Sequence, residues 1–153
     1  MVVAPLEKFL KRHSTVALDT SVFIYFVEEH PDYFQFCDRI FEGVESGLIK
    51  GTTAALSLME VLVQPYRMKK DDLVYKFYSL FSTYPNLAWI ELDLHVADLA
   101  ARLRAEHNLK TPDSIQAASA IASGATGFIC NDGAFRRVKE IECLVLDDLL
   151  KSR

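Results

Sequence analysis

The stretch Val16-Ala17-Leu18-Asp19-Thr20-Ser21-Val22-Phe23 decides the fold. Its first three residues are apolar and begin with a β-branched valine, which is typical of a short buried strand. A second apolar run starts at Val22 and predicts a helix that leaves from Thr20 or Ser21. Because ligands bind at the carboxyl ends of strands in open α/β sheets, Asp19 stands where a functional carboxylate is expected.

Length and composition indicate one ordinary globular domain. The chain has 153 residues, of which 50% are hydrophobic and 25% are charged, and a chain of this size buries roughly two-thirds of its unfolded surface. We therefore expect a single domain over residues 1–153. The net charge of −4 argues against nonspecific coating of nucleic acid but still allows a local basic rim.

The sequence carries no membrane or export signal. No apolar run reaches the roughly 18 residues of a membrane span, and the early charges Glu7 and Lys8 leave no signal-peptide core. We therefore expect a cytoplasmic protein that does not enter a membrane. The three cysteines form an odd set without a CxxC pair, so we expect buried thiols and neither a disulfide framework nor a zinc knuckle.

Turn residues divide the rest of the chain into alternating strands and helices. Further strands are predicted at residues 48–53, 87–90, 128–130 and 141–146, with helices between them. This alternation predicts an α/β fold, in which a mostly parallel sheet is covered by helices on both faces.

Glu60 lies in a helix whose pattern allows two interpretations. Leu56, Met59 and Val63 flank it at helical spacing, which places the carboxylate on or beside the apolar stripe. A purely solubilising glutamate would not be placed there. Alternatively, Ser57 and Glu60 form a capping box, in which Glu60 would satisfy only a backbone donor.

Asp113 and Asp132 also have both a structural and a functional interpretation. The run Thr111-Pro112-Asp113-Ser114 predicts a helix start, with threonine as the N-cap, proline at the first position and the acid in the first turn. Asp132 follows a predicted strand in Asn131-Asp132-Gly133, which is ordinary turn chemistry. The other acids at helix starts are interpreted as caps and first-turn acids worth about 0.3–1 kcal/mol each, namely Asp71, Asp72, Asp93, Asp147 and Asp148.

In a parallel sheet these acids converge. Asp19 and Asp132 follow strand ends, while Glu60 and Asp113 lie near helix starts, so all four are placed at one sheet edge. Four carboxylates there would repel one another unless a cation lay among them. The absence of a histidine or cysteine cluster favours Mg²⁺ or Mn²⁺ over zinc.

The order and flanks of these acids resemble the PIN domain. The matching motifs are the apolar run into Asp19-Thr20-Ser21-Val22, Glu60 in an apolar helix, residues 111–118 and residues 128–135. Within that family the chain is most similar to the small single-domain ribonucleases typified by the VapC toxins of toxin–antitoxin pairs. The resemblance spans about residues 16–150.

The resemblance implies a Rossmann-like three-layer α/β/α sandwich and assigns a role to each motif. Asp19, Asp113 and Asp132 match the family's metal-holding aspartates, and Glu60 matches its glutamate. The hydroxyl of Thr20 or Ser21 would accompany the first aspartate, and Asn131 would accompany the last. Many relatives carry threonine or serine where this chain has Cys130, which puts a hydroxyl contact to phosphate or to the metal shell in doubt.

The activity that the resemblance implies is Mg²⁺- or Mn²⁺-dependent cleavage of RNA, in the toxin of a toxin–antitoxin pair. Its partners would be RNA, a second copy of the chain and a small antitoxin protein. A carboxylate-held metal activates and orients a water for in-line attack on phosphorus, so no histidine base is required. A basic rim would hold the RNA, with Tyr66 able to stack on a base; the rim residues are Arg67, Lys69, Lys70, Arg136, Arg137 and Lys139.

Two other functions compete with this one. The first is a catalytically silent PIN module that binds RNA or protein, which loss of an acid would favour, but all four acids are present. The second is a phosphatase of the haloacid-dehalogenase type, which also places an aspartate after its first strand. That type usually carries a second aspartate two residues later, where this chain has Ser21.

Overall fold

The computed structural model describes residues 3–152 and contains one five-stranded sheet. The strands are β1 Thr15–Leu18, β2 Lys50–Ala54, β3 Leu87–Ile90, β4 Gly127–Cys130 and β5 Glu142–Val145. Their order across the sheet is β3-β2-β1-β4-β5, and every neighbouring pair is parallel. The predicted α/β fold is therefore confirmed, with β1 at the centre.

Helices cover both faces of the sheet. They are α1 Ala4–Arg12, α2 Thr20–Val27, α3 Phe34–Glu45, α4 Ala55–Arg67, α5 Asp71–Thr83, α6 Leu94–His107, α7 Thr111–Ala122 and α8 Leu146–Lys151, with a 3₁₀ helix at Gly133–Arg137. Within the described chain, no helix is both long and apolar enough to cross a bilayer.

The central strand is buried on both sides, which explains its continuous apolar run. Val16 and Leu18 pack with the apolar side chains of α1 to α5, whereas Ala17 packs with those of α6 and α7. Successive side chains of a strand point to opposite faces, so β1 contributes to both hydrophobic cores. These two cores and the sheet between them form the three layers.

Strand register places the candidate site. Leu18 of β1 pairs with Ile129 of β4, and the backbone N–H of Asp19 donates to the carbonyl oxygen of Ile129 at 3.1 Å. The residues that follow β1 and β4 therefore leave the sheet side by side. This arrangement brings the Asp19 and Asp132 segments to one edge.

Helix α7 lies close against β2, as its small residues predict. Ala117, Ala118 and Ala120 are buried, and the hydroxyls of Thr52 and Ser123 are 2.9 Å apart. The predicted cap of this helix is wrong, because Lys110 is the N-cap and Thr111 is already helical. The first backbone N–H groups of any helix lack acceptors, so proline fits the second position as well as the first.

The three cysteines are free thiols, as predicted. Cys37 and Cys130 are buried, but Cys143 is only partly buried, so the prediction of burial is wrong for that residue. Cys143 lies on the edge strand β5, which has one neighbouring strand and is less covered than β4.

Candidate functional site

Asp19 joins the central strand to the helix that follows it. It is the N-cap of α2, and its Oδ1 accepts from the backbone N–H of Ser21 at 3.1 Å and from the Ser21 hydroxyl at 2.5 Å. Its side chain is almost fully enclosed, with the residue only 9% exposed. Burial raises the pKa of Asp19 to about 7, although the hydrogen bond from Ser21 opposes this shift.

Glu60 faces the same edge from α4, so the capping-box interpretation is wrong. The N-cap of α4 is Ala54, and Ser57 is the third residue of the helix. Glu60 Oε1 instead accepts from the hydroxyl of Thr20 at 2.5 Å and from Nε2 of Gln116 at 3.1 Å. Its oxygen therefore bonds to side chains of two other helices and not to its own helix start.

Asp113 lies in the first turn of α7 and is partly buried. Burial raises the pKa of its carboxyl, and the negative charges of Asp132 and Glu60 raise it further. The positive charge of Lys110 opposes these effects. Because Asp132 and Glu60 act on this carboxyl, α7 brings Asp113 within electrostatic range of both.

Asp132 follows β4 and is exposed. It is the N-cap of the 3₁₀ helix, where its Oδ1 accepts from the backbone N–H of Ala134 at 2.9 Å. The turn interpretation therefore describes its local structure. That role does not exclude a second one, because the carboxylate also acts on Asp113.

The four acids gather at the carboxyl ends of β1 and β4 but do not form a tight cluster. In residues 3–152, one group of three ligating side chains has its ligand atoms within 4.8 Å of one another, and it comprises Glu106, His107 and Glu140 instead. Those residues lie at the end of α6 and just before β5, and both glutamates are exposed. The predicted metal site is therefore more open than a preformed cage.

The donor set of the four acids suits a hard cation. Every ligand atom that they offer is a carboxylate oxygen, which is the ligand that Mg²⁺ and Mn²⁺ prefer. The raised pKa values of Asp19 and Asp113 show that ionised carboxylates are disfavoured there without added positive charge. A divalent cation held by these residues would supply that charge.

Both predicted hydroxyls bind the acids. Ser21 donates to Asp19, and Thr20 donates to Glu60. Asn131 is oriented differently, because its Nδ2 donates to the hydroxyl of Tyr25 at 3.1 Å and its Oδ1 accepts from the backbone N–H of Asp147 at 2.8 Å. Asn131 therefore ties the end of β4 to α2 and α8.

Part of the predicted basic rim is engaged in contacts within the chain. Arg136 forms an ion pair with Asp148, and Arg137 donates to the carbonyl oxygen of Asn108 at 3.3 Å. Lys139 donates to the carbonyl oxygen of Arg136 at 3.2 Å. The remaining rim residues, Arg67, Lys69 and Lys70, are exposed at and just beyond the end of α4.

Sequence reasoning missed Gln116 and Thr53 as neighbours of the predicted residues Thr20 and Glu60. Gln116 is 4% exposed, and its Nε2 lies 2.8 Å from the Ser57 hydroxyl and 3.1 Å from the Thr20 hydroxyl. Thr53 extends the network, with its hydroxyl 2.8 Å from both Ser57 Oγ and the carbonyl oxygen of Leu18. The signal in the sequence is a polar amide placed among small residues, three positions after Asp113.

The family model of the PIN domain matches residues 16–141. The chain belongs to the PIN domain family. This finding confirms the resemblance drawn from the four acids. No curated protein sequence matches this PIN domain chain.

Solved structures similar to this PIN domain chain include chains from three bacterial complexes. One is VapBC2 from Rickettsia felis, bound to a DNA fragment from its promoter. A chain of this complex matches with a TM-score of 0.65 and 18% identity, over 86% of this chain and 98% of that chain. A toxin–antitoxin complex from Klebsiella pneumoniae matches with a TM-score of 0.66 and 19% identity over 86% and 97%. DNA-bound VapBC from Salmonella typhimurium matches with a TM-score of 0.61 and 18% identity over 86% and 98%. The fold is therefore that of a chain found in VapBC complexes.

Proposed function

We propose that this PIN domain is a metal-dependent endoribonuclease, which holds Mg²⁺ or Mn²⁺ with Asp19, Glu60, Asp113 and Asp132. The observation that carries the proposal is a group of acids that lacks matching positive charge. Burial raises the pKa of Asp19 to about 7, and neighbouring acids add to the raised pKa of Asp113. Within the described chain, one cation acts on these two carboxyls, namely Lys110 on Asp113.

The chain's own residues fix the acids in different ways. Ser21 holds the carboxyl of Asp19, while Thr20 and Gln116 hold one oxygen of Glu60. A bound divalent cation supplies an activated water and stabilises charge on the attacked phosphate. Asp132 is exposed and Asp113 is partly so, which leaves them on the side from which a polyanionic substrate must approach.

The family and the similar structures support the biological role in this proposal. Two of the similar structures are VapBC complexes and one is a toxin–antitoxin complex, so we propose that this chain is a toxin that pairs with a small antitoxin protein. RNA is the proposed substrate because the motifs most resemble those of the VapC-type ribonucleases. The basic residues Arg67, Lys69, Lys70, Arg136 and Arg137 are the proposed RNA rim.

An exposed apolar surface supports the proposed protein partners. Tyr78 and Trp89 are 46% and 50% exposed and line one cavity, and Tyr66, which is 57% exposed, lies beside Tyr78. Large exposed apolar patches mark interaction sites more often than they serve folding. We propose that this surface takes part in a homodimer or in antitoxin binding, which sedimentation with and without the antitoxin would test. A chain that stays monomeric at all concentrations and binds no antitoxin would contradict this part.

Cleavage of RNA by purified variants tests the central proposal. We expect wild type to cleave RNA with Mg²⁺ or Mn²⁺ and to stop in chelator, and Asp19→Asn and Asp132→Asn to be inactive. Asp98→Asn is the matched control, because Asp98 is an exposed acid paired with Arg102 on α6. Equal activity of all variants would refute the site. Wild type that binds RNA but never cleaves it would favour a silent PIN module.

A further inference from the structure

Gln116 occupies the centre of a polar network that joins three helices. It lies on α7, whereas its three partners Thr20, Ser57 and Glu60 lie on α2 and α4. The amide nitrogen is 2.8–3.1 Å from an oxygen of each partner. A buried amide with this many partners fixes the relative positions of the helices that carry them.

The chemistry of Glu60 fixes which end of the Gln116 amide faces it. An ionised carboxylate only accepts hydrogen bonds, so the nitrogen of Gln116 must point towards Glu60 and its oxygen away. The Thr20 hydroxyl donates to the same oxygen, Oε1. Two donors therefore converge on Oε1, while Oε2 of Glu60 has no hydrogen-bond partner among residues 3–152.

Gln116 also opposes a repulsion between the acids. Asp113 precedes it by one helical turn, and the charge of Glu60 acts unfavourably on Asp113. The bond from Gln116 to Glu60 holds α7 and α4 together although they carry these like charges. Gln116 is therefore an uncharged donor that links the helix of Asp113 to the helix of Glu60.

We propose that Gln116 is a positioning residue for the metal site, which acts by holding Oε1 of Glu60 and so leaves Oε2 free to bind a cation. The proposal rests on the proposed metal-dependent function. It adds a residue that touches neither metal nor substrate and works through Glu60. Partners of metal ligands commonly change metal affinity by about 10–100-fold when they are removed.

Binding of Mn²⁺ to purified protein, measured by calorimetry, tests the role directly. Gln116→Met keeps the length of the side chain and removes the donor, and we expect it to weaken Mn²⁺ binding by about 10-fold or more. We expect kcat for RNA cleavage to fall while the KM for RNA stays unchanged. Ser119→Ala is the control, because Ser119 is on the same helix, is buried, and has a hydroxyl without a hydrogen-bond partner in the described chain.

A double substitution separates positioning from a general structural effect. If Gln116 acts through Glu60, then Gln116→Met should add little to the loss of Mn²⁺ affinity caused by Glu60→Gln alone. Additive losses would overturn the proposal, as would normal Mn²⁺ binding by Gln116→Met. Should Gln116→Met fail to fold, Gln116→Asn draws the amide back from Glu60 and carries the same expectations. Wild type that binds no Mn²⁺ would refute the proposed function itself.

Discussion

The acids at the two ends of the sheet have opposite electrostatic surroundings. At the amino end, Glu142 Oε1 accepts from Arg12 and His13, each at 2.8 Å. The hydrogen bond from His13, followed by that from Arg12, lowers the pKa of Glu142 below its ordinary value. His13 is itself held on its other side by Thr126, at 2.7 Å. At this end of the sheet, Glu142 is therefore bound by two side chains of its own chain.

At the carboxyl end, burial raises the pKa of Asp19 to about 7, and burial with like charges raises the pKa of Asp113. An acid placed for stability has partners of opposite charge in the same chain, as Glu142 has in Arg12. Acids that lack them cost stability, and such groups are typical of sites that bind a ligand. The difference between the two ends therefore favours a cation from outside the protein at the carboxyl end.

Asp19→Asn should give the largest change in stability. Removing the charge should raise the free energy of unfolding in chelator at neutral pH, because the asparagine oxygen still accepts from Ser21 but carries no charge to bury. The pKa moves from 3.8 to about 7, a difference of about three units, which corresponds to roughly 4 kcal/mol. Urea unfolding in chelator measures the gain.

The pH dependence of wild-type stability should show whether the Asp19 carboxylate stabilises or destabilises the fold. A raised folded-state pKa means that the folded protein binds its proton more tightly than the unfolded chain. Wild type in chelator should therefore lose stability as pH rises from 3.8 to about 7, and Asp19→Asn should lack this part of the decline. Mg²⁺ should stabilise wild type more than the variant. Parallel pH curves for the two proteins would contradict the interpretation.

Gly127→Ala should disrupt the amino end alone. A Cβ on Gly127 would lie 2.7 Å from Phe9 Cζ and 2.9 Å from His13 Cγ, which is closer than atoms can approach. Overpacking of this kind typically costs about 1–3 kcal/mol. The free energy of unfolding should fall by that amount and the melting temperature should fall with it, while the stabilisation by Mg²⁺ stays that of wild type. A loss of the Mg²⁺ response would show that the two ends are not independent.

Residues near strand ends were the most predictable part of this molecule. The run into Asp19 predicted a buried strand followed by a helix, because burial on both faces requires a continuous apolar segment. The alternation of strand and helix patterns also predicted β4, which precedes Asp132, and β2, which precedes the helix of Glu60. Parallel strands share one carboxyl edge, so the gathering of the acids there could be inferred before any distance was known.

Helix starts and side-chain partners were less predictable. The capping box at Ser57 and the cap at Thr111 were wrong because several residue orders satisfy the free N–H groups of a first turn. Gln116 was missed for another reason. Its partners come from α2 and α4, and no local pattern in α7 reveals contacts that only the packing of three helices creates.

Asp113→Asn should change stability less than Asp19→Asn, because Asp113 is only partly buried. Removing the repulsion from Asp132 and Glu60 should raise the melting temperature in chelator. Adding Mg²⁺ should then raise the melting temperature of the variant less than that of wild type. A purely structural first-turn acid would instead lose about 0.3–1 kcal/mol and keep its full Mg²⁺ response. Melting with and without Mg²⁺ decides between these outcomes.

Glu142→Gln should give the smallest change, and its sign should be opposite to that of Asp19→Asn. The side chain of Glu142 is 47% exposed, so solvent screening limits the loss to about 0.5–1 kcal/mol. Since the folded-state pKa is lowered, the contribution of Glu142 is present above its ordinary value of 4.5 and disappears as pH falls through the lowered value. Wild type and variant should therefore differ in urea unfolding at neutral pH and converge in acid.

Asp98→Asn, which breaks an exposed pair with Arg102, is the control for a general charge effect. A Glu142→Gln protein that is more stable than wild type at neutral pH would mean that acids at both ends are strained, and the contrast between the two ends would no longer favour an external cation.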